Sequence, residues 1–264
     1  MGMTDDQLLA WWDDAASGAL NMAADEMLAA EAARRGQPLI RFYGWDSPTV
    51  SLGGFQAIAA ARSIPAIAGA PVVRRPSGGG ALVHGTDLTY ALAVPRGHAW
   101  ARSPLPLYDA VHEALVAVLD EHGVVARRHP GRPASPADPF FCFSRRASGD
   151  VVAARPGQEA ADDDPKILGS AQRRLAAAVI QHGSLLLTSN PGVGAAARHP
   201  GLADVGGGVC LESLRGVAEA WTRHIAAAGG LRVTWQPATF AAGREAELAS
   251  ALARYREARW LERR

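Results

Sequence analysis

The chain has 264 residues, of which 48% are hydrophobic and 20% charged, and its formal net charge is +1. A near-neutral balance supplies no overall field for holding nucleic acid, and no apolar run reaches the roughly 20 residues that span a bilayer, so neither nucleic acid nor a membrane is expected as a partner. The length buries a substantial core and allows one large domain or two small ones, and since no composition shift marks a boundary, residues 1–264 are read as a single domain.

The N-terminal stretch Met1-Gly-Met-Thr-Asp-Asp6 is acidic and leads into no secretory apolar core, which makes a cytoplasmic location the expectation. Two cysteines, Cys142 and Cys210, make no disulfide framework, and each is either a small buried residue or a reactive thiol. No internal repeat is visible. The eight histidines are scattered without metal-ligand spacing, so no metal site is expected.

Residues 21–36 read as a helix, with Asn21 as N-cap, an apolar face of Met22, Leu28 and alanines, and Gly36 as its stop. Leu39–Tyr43 and Thr49–Leu52 read as strands joined by the turn-rich Gly44–Pro48, a pattern that predicts a hairpin carrying Trp45 at its bend. A short helix is expected over Phe55–Ala61. Val72–Arg74 then runs into Arg75-Pro-Ser77-Gly78-Gly79-Gly80 and out through His84 to Asp87–Val94, which reads as one sheet region interrupted by glycines. Glycine lets backbone N–H groups approach a ligand closely, and a nest of such donors suits a phosphate or a developing oxyanion. The spacing is not that of a Walker A loop or a dinucleotide fingerprint.

Pro106–His122 is an amphipathic helix stopped by Gly123, followed by a strand over Val124–Arg128 and a Pro- and Arg-rich loop leading to Phe140-Phe-Cys142-Phe143. Residues 155–165, with three successive aspartates, read as a solvated excursion. Residues 190–209 read as a loop, Leu211–Ala228 and Phe240–Leu261 as helices, and Leu231–Trp235 as a strand between them.

Lys166 stands apart. It is the one lysine among 27 basic residues, the rest being arginine. Arginine serves a solvated charge equally well, whereas a site that needs a compact ammonium with three rotatable donors does not accept a guanidinium plane. Around Lys166 lie Gly169, Ser170 and Gln172, and the alternating run Ala178–Leu187, which contains Gln181, His182 and Gly183, reads as the strand on which this polar stretch is mounted.

Four motifs in order, Asn21-Met-Ala-Ala-Asp-Glu26, Phe42-Tyr-x-Trp45 with Ser51-Leu-Gly and Gln56, Arg74-Arg-x-Ser-Gly-Gly-Gly80 with His84, and Lys166-Ile-x-Gly-Ser-Ala-Gln-x-Arg174 with Gln181-His-Gly-Ser184, make the chain resemble the lipoate–protein ligase and octanoyltransferase superfamily. The resemblance implies an α/β fold of the biotin and lipoate ligase, class II synthetase-like type: a mixed sheet flanked by helices. Leu88-Thr-Tyr90 and Cys142-Phe143 upstream of the lysine motif are similar to the cysteine-dependent octanoyltransferases of that superfamily, and with only a short stretch after Tyr255–Trp260 the separate C-terminal domain that many ligases carry is not expected.

On that resemblance the expected reaction moves an octanoyl or lipoyl group from an acyl carrier protein thioester to Cys142, and then to a lysine of a lipoyl domain, on the glycine cleavage H protein or a 2-oxoacid dehydrogenase E2. Lys166 is the expected activator of the thiol, and Arg75, Ser77, Gly78, Gly79, Gly80, His84, Gly169, Ser170, Gln172, His182 and Gly183 are the expected substrate-binding residues. No cofactor is required on this reading. An ATP-dependent lipoate–protein ligase, holding an acyl-adenylate with magnesium, is the alternative, and a non-catalytic acyl-binding protein is a third. Cys210 is the rival nucleophile, since another octanoyltransferase branch places its thiol downstream of the lysine.

Overall fold

The structure, a computed structural model, describes residues 7–131, 139–155, 157–158, 161–205 and 213–263. The chain runs through β1 (Gln7–Trp12), α1 (Gly18–Arg35), β2 (Leu39–Tyr43), β3 (Thr49–Leu52), α2 (Ile58–Arg62), β4 (Val72–Arg74), β5 (Leu82–His84), β6 (Asp87–Pro95) and α3 (Pro104–Glu121). It continues through β7 (Ala126–Arg128), β8 (Val151–Ala153), β9 (Lys166–Arg174), β10 (Ala178–Leu186), α4 (Leu202–Val205), α5 (Leu214–Gly229), β11 (Arg232–Trp235), α6 (Glu245–Arg256) and α7 (Ala258–Glu262). An eight-stranded mixed sheet has the order β11-β1-β2-β6-β10-β9-β8-β7, and a three-stranded sheet has the order β4-β3-β5. This is the expected mixed sheet flanked by helices. Among the described residues no helix is long and apolar enough to cross a membrane.

The alternation of β6 explains the layering. Leu88, Tyr90, Leu92 and Val94 pack with α3 and α5 on one face, while Ala91 and Ala93 pack with α1 on the other. A strand covered on both faces reads as a continuous apolar run, and each large side chain so buried contributes about 1.5–3 kcal/mol. On β10 the even-numbered residues Ala178 and Ile180 join the α1 face and the odd-numbered Val179 and Leu185 the α3 face.

Several expectations are corrected. The helix begins three residues before Asn21: extended Ser17 is the N-cap residue, and the Asn21 amide turns back to donate to the carbonyls of Ala16 and Gly44. The strands at 39–43 and 49–52 have the expected bounds but form no hairpin. β2 is already flanked by β1 and β6, and the Gly44–Pro48 link carries the chain, with Trp45 buried, across to the second sheet. The 72–94 region splits for a similar reason: at Gly85, φ +125°, the chain turns out of β5 and enters the large sheet as β6. A Cβ at Gly85 would sit 3.0 Å from the Asn190 amide and 3.2 Å from Pro48.

Phe55 precedes its short helix instead of opening it. The stretch 190–209 contains a 3-10 turn at Ala195–Ala197 and α4, and the C-terminal helix is broken at Glu257 into α6 and α7. Strand β1 has no counterpart in the sequence reading, and the lysine stretch is itself strand β9, paired with β10.

Arg41 on β2 ties β1 to α1 in the interior. Its Nε donates to Asp13 Oδ2 at 2.7 Å and its Nη1 to Asp25 Oδ1 at 2.8 Å, all three side chains being buried. Removing one partner of a buried ion network strands the others, at a cost of about 3–5 kcal/mol. Arg41→Ala is therefore expected to lower the urea unfolding midpoint by that equivalent, and to do so far more than Arg41→Ala combined with Asp13→Asn and Asp25→Asn.

Candidate active site

Cys142 opens a 3-10 turn, Cys142–Ser144, that is laid along the glycine loop. Its N–H donates to Ala81 O at 2.7 Å, and Ala81 N–H donates to Phe140 O at 3.0 Å. Asp150 immediately precedes β8, and Lys166 opens β9 beside it. The Lys166 ammonium lies 2.8 Å from Asp150 Oδ2 and donates to Cys142 Sγ at 3.4 Å and to Cys142 O at 3.4 Å. Asp150 is held in turn by the Tyr108 hydroxyl at 3.1 Å and by Ala147 N–H at 2.6 Å.

Burial by itself lowers a lysine pKa, because it penalises the charged form. Here the Coulombic pull and hydrogen bonds of Cys142 and Asp150 outweigh burial, and the ammonium is held above its ordinary range. The lysine stem folds over Gly169, where a Cβ would come within 2.5 Å of Cε and 2.7 Å of Nζ. The space fits a slim butylammonium against bare backbone.

Across from the thiol, Arg75 organises the glycine loop. Its Nη2 donates to Gly78 O at 2.9 Å and Gly80 O at 2.7 Å, and its Nη1 to Ser51 O at 2.9 Å and Ser51 Oγ at 3.1 Å. Burial pushes its pKa down to about 10, partly offset by the Coulombic pull of Cys142, so it remains a cation at neutral pH. Gly79 has φ +91°, open to glycine, and a Cβ on Gly80 would meet Cys142 N at 2.9 Å. Arg74 has a different task, donating to the carbonyls of Gly53, Gln56 and Leu261 and so fastening α7 to the loop.

Two buried Ser–His–Asp chains flank the space between. Ser77 Oγ lies 2.5 Å from His182 Nε2, whose Nδ1 is 3.1 Å from Asp25 Oδ2. Ser51 Oγ lies 2.8 Å from His84 Nε2, whose Nδ1 is 2.8 Å from Asp87 Oδ2. A carboxylate only accepts, so each Nδ1 carries hydrogen and each Nε2 accepts from its serine. His84 also stacks on Trp45 at 3.7 Å between ring centroids, and burial lowers its pKa in spite of Asp87.

A third chain runs through the sheet. Gln172 donates to Gln181 at 2.6 Å, Gln181 to the Tyr90 hydroxyl at 2.7 Å, and Tyr90 lies 2.7 Å from Ser170 Oγ, itself 2.7 Å from His112 Nε2. His112 Nδ1 is 2.7 Å from Gly149 O, an acceptor only, which fixes the tautomer and makes every bond in the chain run one way. The chain ends on the residue before Asp150.

Cys142, Arg75, Gly79, His84, Ser170 and His182 thus border one narrow cleft. Gly169 and Gly183 form its floor. Ser77 sits behind His182, and Gly78 and Gly80 reach the cleft through Arg75 and Cys142. Gln172 does not reach it, because its amide is taken by Gln181 and by Pro104 O. Cys210 lies outside the described residues. Sequence reasoning named no site role for Asp150, Asp25, Tyr108 or His112; the signal for Asp150 was a lone acid after the Ser148-Gly149 turn at the head of a strand, and Asp25 lay within the first motif, on a helix whose face was read as packing. Among the described residues no group of three His, Cys, Asp or Glu is placed to hold a metal.

The chain belongs to the lipoyl protein ligase A/B catalytic domain family, whose match spans residues 17–199. It is similar to octanoyltransferase LipM of Kyrpidia tusciae, 34% identical over 187 residues covering 66% of this chain and 64% of that protein. It is also similar to octanoyltransferase LipM of Symbiobacterium thermophilum, 35% identical over 180 residues covering 64% and 61%. The matched region therefore spans less than two thirds of these curated relatives. Among solved structures, protein Ta0514 of T. acidophilum with bound lipoic acid shares the fold, with a TM-score of 0.69 and 21% identity, over 97% of this chain and 98% of that one.

The buried relay has a pH signature. His112 has its pKa lowered from 6.5 to about 3 by burial, so the unfolded chain takes up a proton near pH 6.5 that the native state refuses. Stability is therefore lost as pH falls from 6.5 toward 3, by about 1.4 kcal/mol per pH unit for this one group. His112→Gln is expected to flatten the fall of the urea midpoint between pH 7 and pH 5 relative to wild type.

Proposed function

We propose that the chain is an octanoyltransferase of protein lipoylation that works through an acyl thioester on Cys142. The observation that carries this reading is the cleft-lining Cys142 sulfur 3.4 Å from the buried ammonium of Lys166, itself paired to Asp150. A thiol near its reference pKa of roughly 8.5 is mostly protonated at neutral pH, and an adjacent ammonium favours the thiolate. The relatives' name, octanoyltransferase, supports the same reading.

In the first step the thiolate attacks the carbonyl carbon of an octanoyl thioester on acyl carrier protein. The tetrahedral oxyanion faces the Gly78–Gly80 backbone, and the intermediate collapses with loss of the carrier thiolate, which takes a proton from Lys166. Acylation removes one of the two negative charges beside the lysine, and the neutral amine left by the first step sits next to an Asp150 carboxylate still held by Tyr108 and Ala147 N–H. In the second step a lipoyl-domain lysine, its ammonium proton already given up to solvent, attacks the acyl-cysteine carbonyl as the neutral amine and passes one proton to Lys166. The Cys142 thiolate leaves and finds the ammonium restored. Atoms and protons balance over the two steps without a cofactor. Lipoyl domains of the glycine cleavage H protein or of a 2-oxoacid dehydrogenase E2 are the acceptors this chemistry serves. An adenylate-forming ligase would instead turn the lysine charge toward a phosphate, whereas here that charge is already engaged by Asp150 and Cys142.

Incubation with octanoyl carrier protein and no acceptor, without ATP, is expected to add one octanoyl group by intact mass. The adduct should be absent in Cys142→Ala, present in Cys210→Ala, and discharged by a lipoyl domain. Lys166→Arg should lose transfer by orders of magnitude while folding normally, since the charge is kept but the compact ammonium is not. Attachment of free lipoate only with ATP and magnesium, with the carrier thioester inert, would establish the ligase reading instead; an adduct that moves with Cys210 would relocate the nucleophile.

A further inference from the structure

The loop that closes over the glycine motif presents one aromatic side chain to solvent. Phe55 is 74% exposed, the highest value among the large hydrophobic residues described. Its surroundings are fixed on both sides. Gly53 N–H donates to Gln56 Oε1 at 3.0 Å, Gln56 Nε2 to Phe140 O at 3.0 Å, and Gly54 N–H to Ser77 O at 2.7 Å. Arg74 Nη1 adds bonds to the carbonyls of Gly53 at 3.0 Å and Gln56 at 2.7 Å.

The exposed ring is therefore held by an ordered frame. Its edge lies against the glycine loop, 3.8 Å from the Cβ position of Gly78, two residues from the Gly80 that touches Cys142 N. Gly79, the residue after Gly78, lines the cleft that holds the thiol, so the ring stands one residue outside that lining, at its rim. The other strongly exposed apolar residues, Leu105 and Val125, belong to the start of α3 and the approach to β7.

An aromatic presented on a rigid loop beside a reacting group is the form of a binding anchor: it offers large apolar area at low ordering cost. We infer that Phe55 is a docking anchor for the protein domain that bears the acceptor lysine. The inference rests on the acyl-transfer reading above. The choice between the two protein substrates follows from reach. A lysine amine extends only about 6 Å from its own backbone, so the acceptor domain must bring its surface to the rim to reach Cys142, where it covers Phe55. A carrier protein delivers its thioester on a long flexible arm and need not touch the rim.

The test compares wild type with Phe55→Ala and Phe55→Tyr in two separate half-reactions: acylation of Cys142 by octanoyl carrier protein, read by intact mass, and discharge of the acyl-enzyme by a lipoyl domain or by a small amine, N-acetyl-lysine methyl ester. Phe55→Ala is expected to raise the lipoyl-domain KM for discharge by roughly ten-fold or more, with the maximal discharge rate, discharge by the small amine, and acylation unchanged. Phe55→Tyr should restore the KM. Unchanged lipoyl-domain KM in Phe55→Ala would overturn the proposal, as would a loss confined to acylation by the carrier protein, which would assign the ring to the donor. A loss of discharge by the small amine would also overturn it, by placing the effect in the chemistry. Failure of the wild-type enzyme to form an adduct would instead overturn the acyl-transfer reading itself.

Discussion

The site depends on one charge balance. Lys166 and Asp150 are both nearly removed from water, at 4% and 1% exposure, and neither ion is tolerable there alone. Paired, they leave a single ammonium whose remaining donors are directed at the sulfur and carbonyl of Cys142. Much of the local structure serves that balance. Tyr108 and Ala147 N–H fix the carboxylate, the hydrogen-bond chain from Gln172 to His112 fixes the turn before it, and Gly169 leaves the room the lysine stem needs. Such second partners hold a reactive group in place more tightly than its direct contacts alone.

The fold brings these parts together from distant stretches. Cys142 reaches the glycine loop through a short bridge between Ala81 and Phe141, while Lys166 and Asp150 come from the antiparallel pair β8 and β9. The two Ser–His–Asp chains occupy the other wall, where Ser77 and Ser51 are fully buried. Each histidine is oriented by a carboxylate on one nitrogen and holds a serine on the other, Ser77 of the glycine loop or Ser51 of β3, so these chains couple the glycine loop and the small sheet to α1 and β6. Their geometry resembles a hydrolase triad, but no serine of theirs borders Cys142 in the way Lys166 does.

Much of this was legible in the residues. Gly79 of the glycine run and the strand with His182 and Gly183 line one cleft, the lone lysine reaches it through the Cys142 sulfur, and the strands at 39–43 and 49–52 have the bounds that their alternation predicts. The pairing was not legible, because whether two adjacent strands form a hairpin depends on which sheet already occupies their edges. Trp45 and Gly85 divert the chain through contacts with Ala16, His84, Pro48 and Asn190 that lie far away in sequence. The same limit hid Asp150 and Asp25. An isolated aspartate in a turn and another inside an alanine-rich helix look ordinary until the fold sets them beside Lys166 and His182.

The central claim is that the Lys166 ammonium keeps Cys142 reactive. It is tested most directly by the rate at which iodoacetamide alkylates Cys142 at pH 7, read by peptide mass so that Cys210 is followed separately. The comparison is between wild type and the double variant Lys166→Met with Asp150→Asn, which removes both charges together and leaves neither buried alone. The account predicts that alkylation of Cys142 slows on the order of ten-fold or more while the protein stays folded. An unchanged rate in the folded double variant would contradict it.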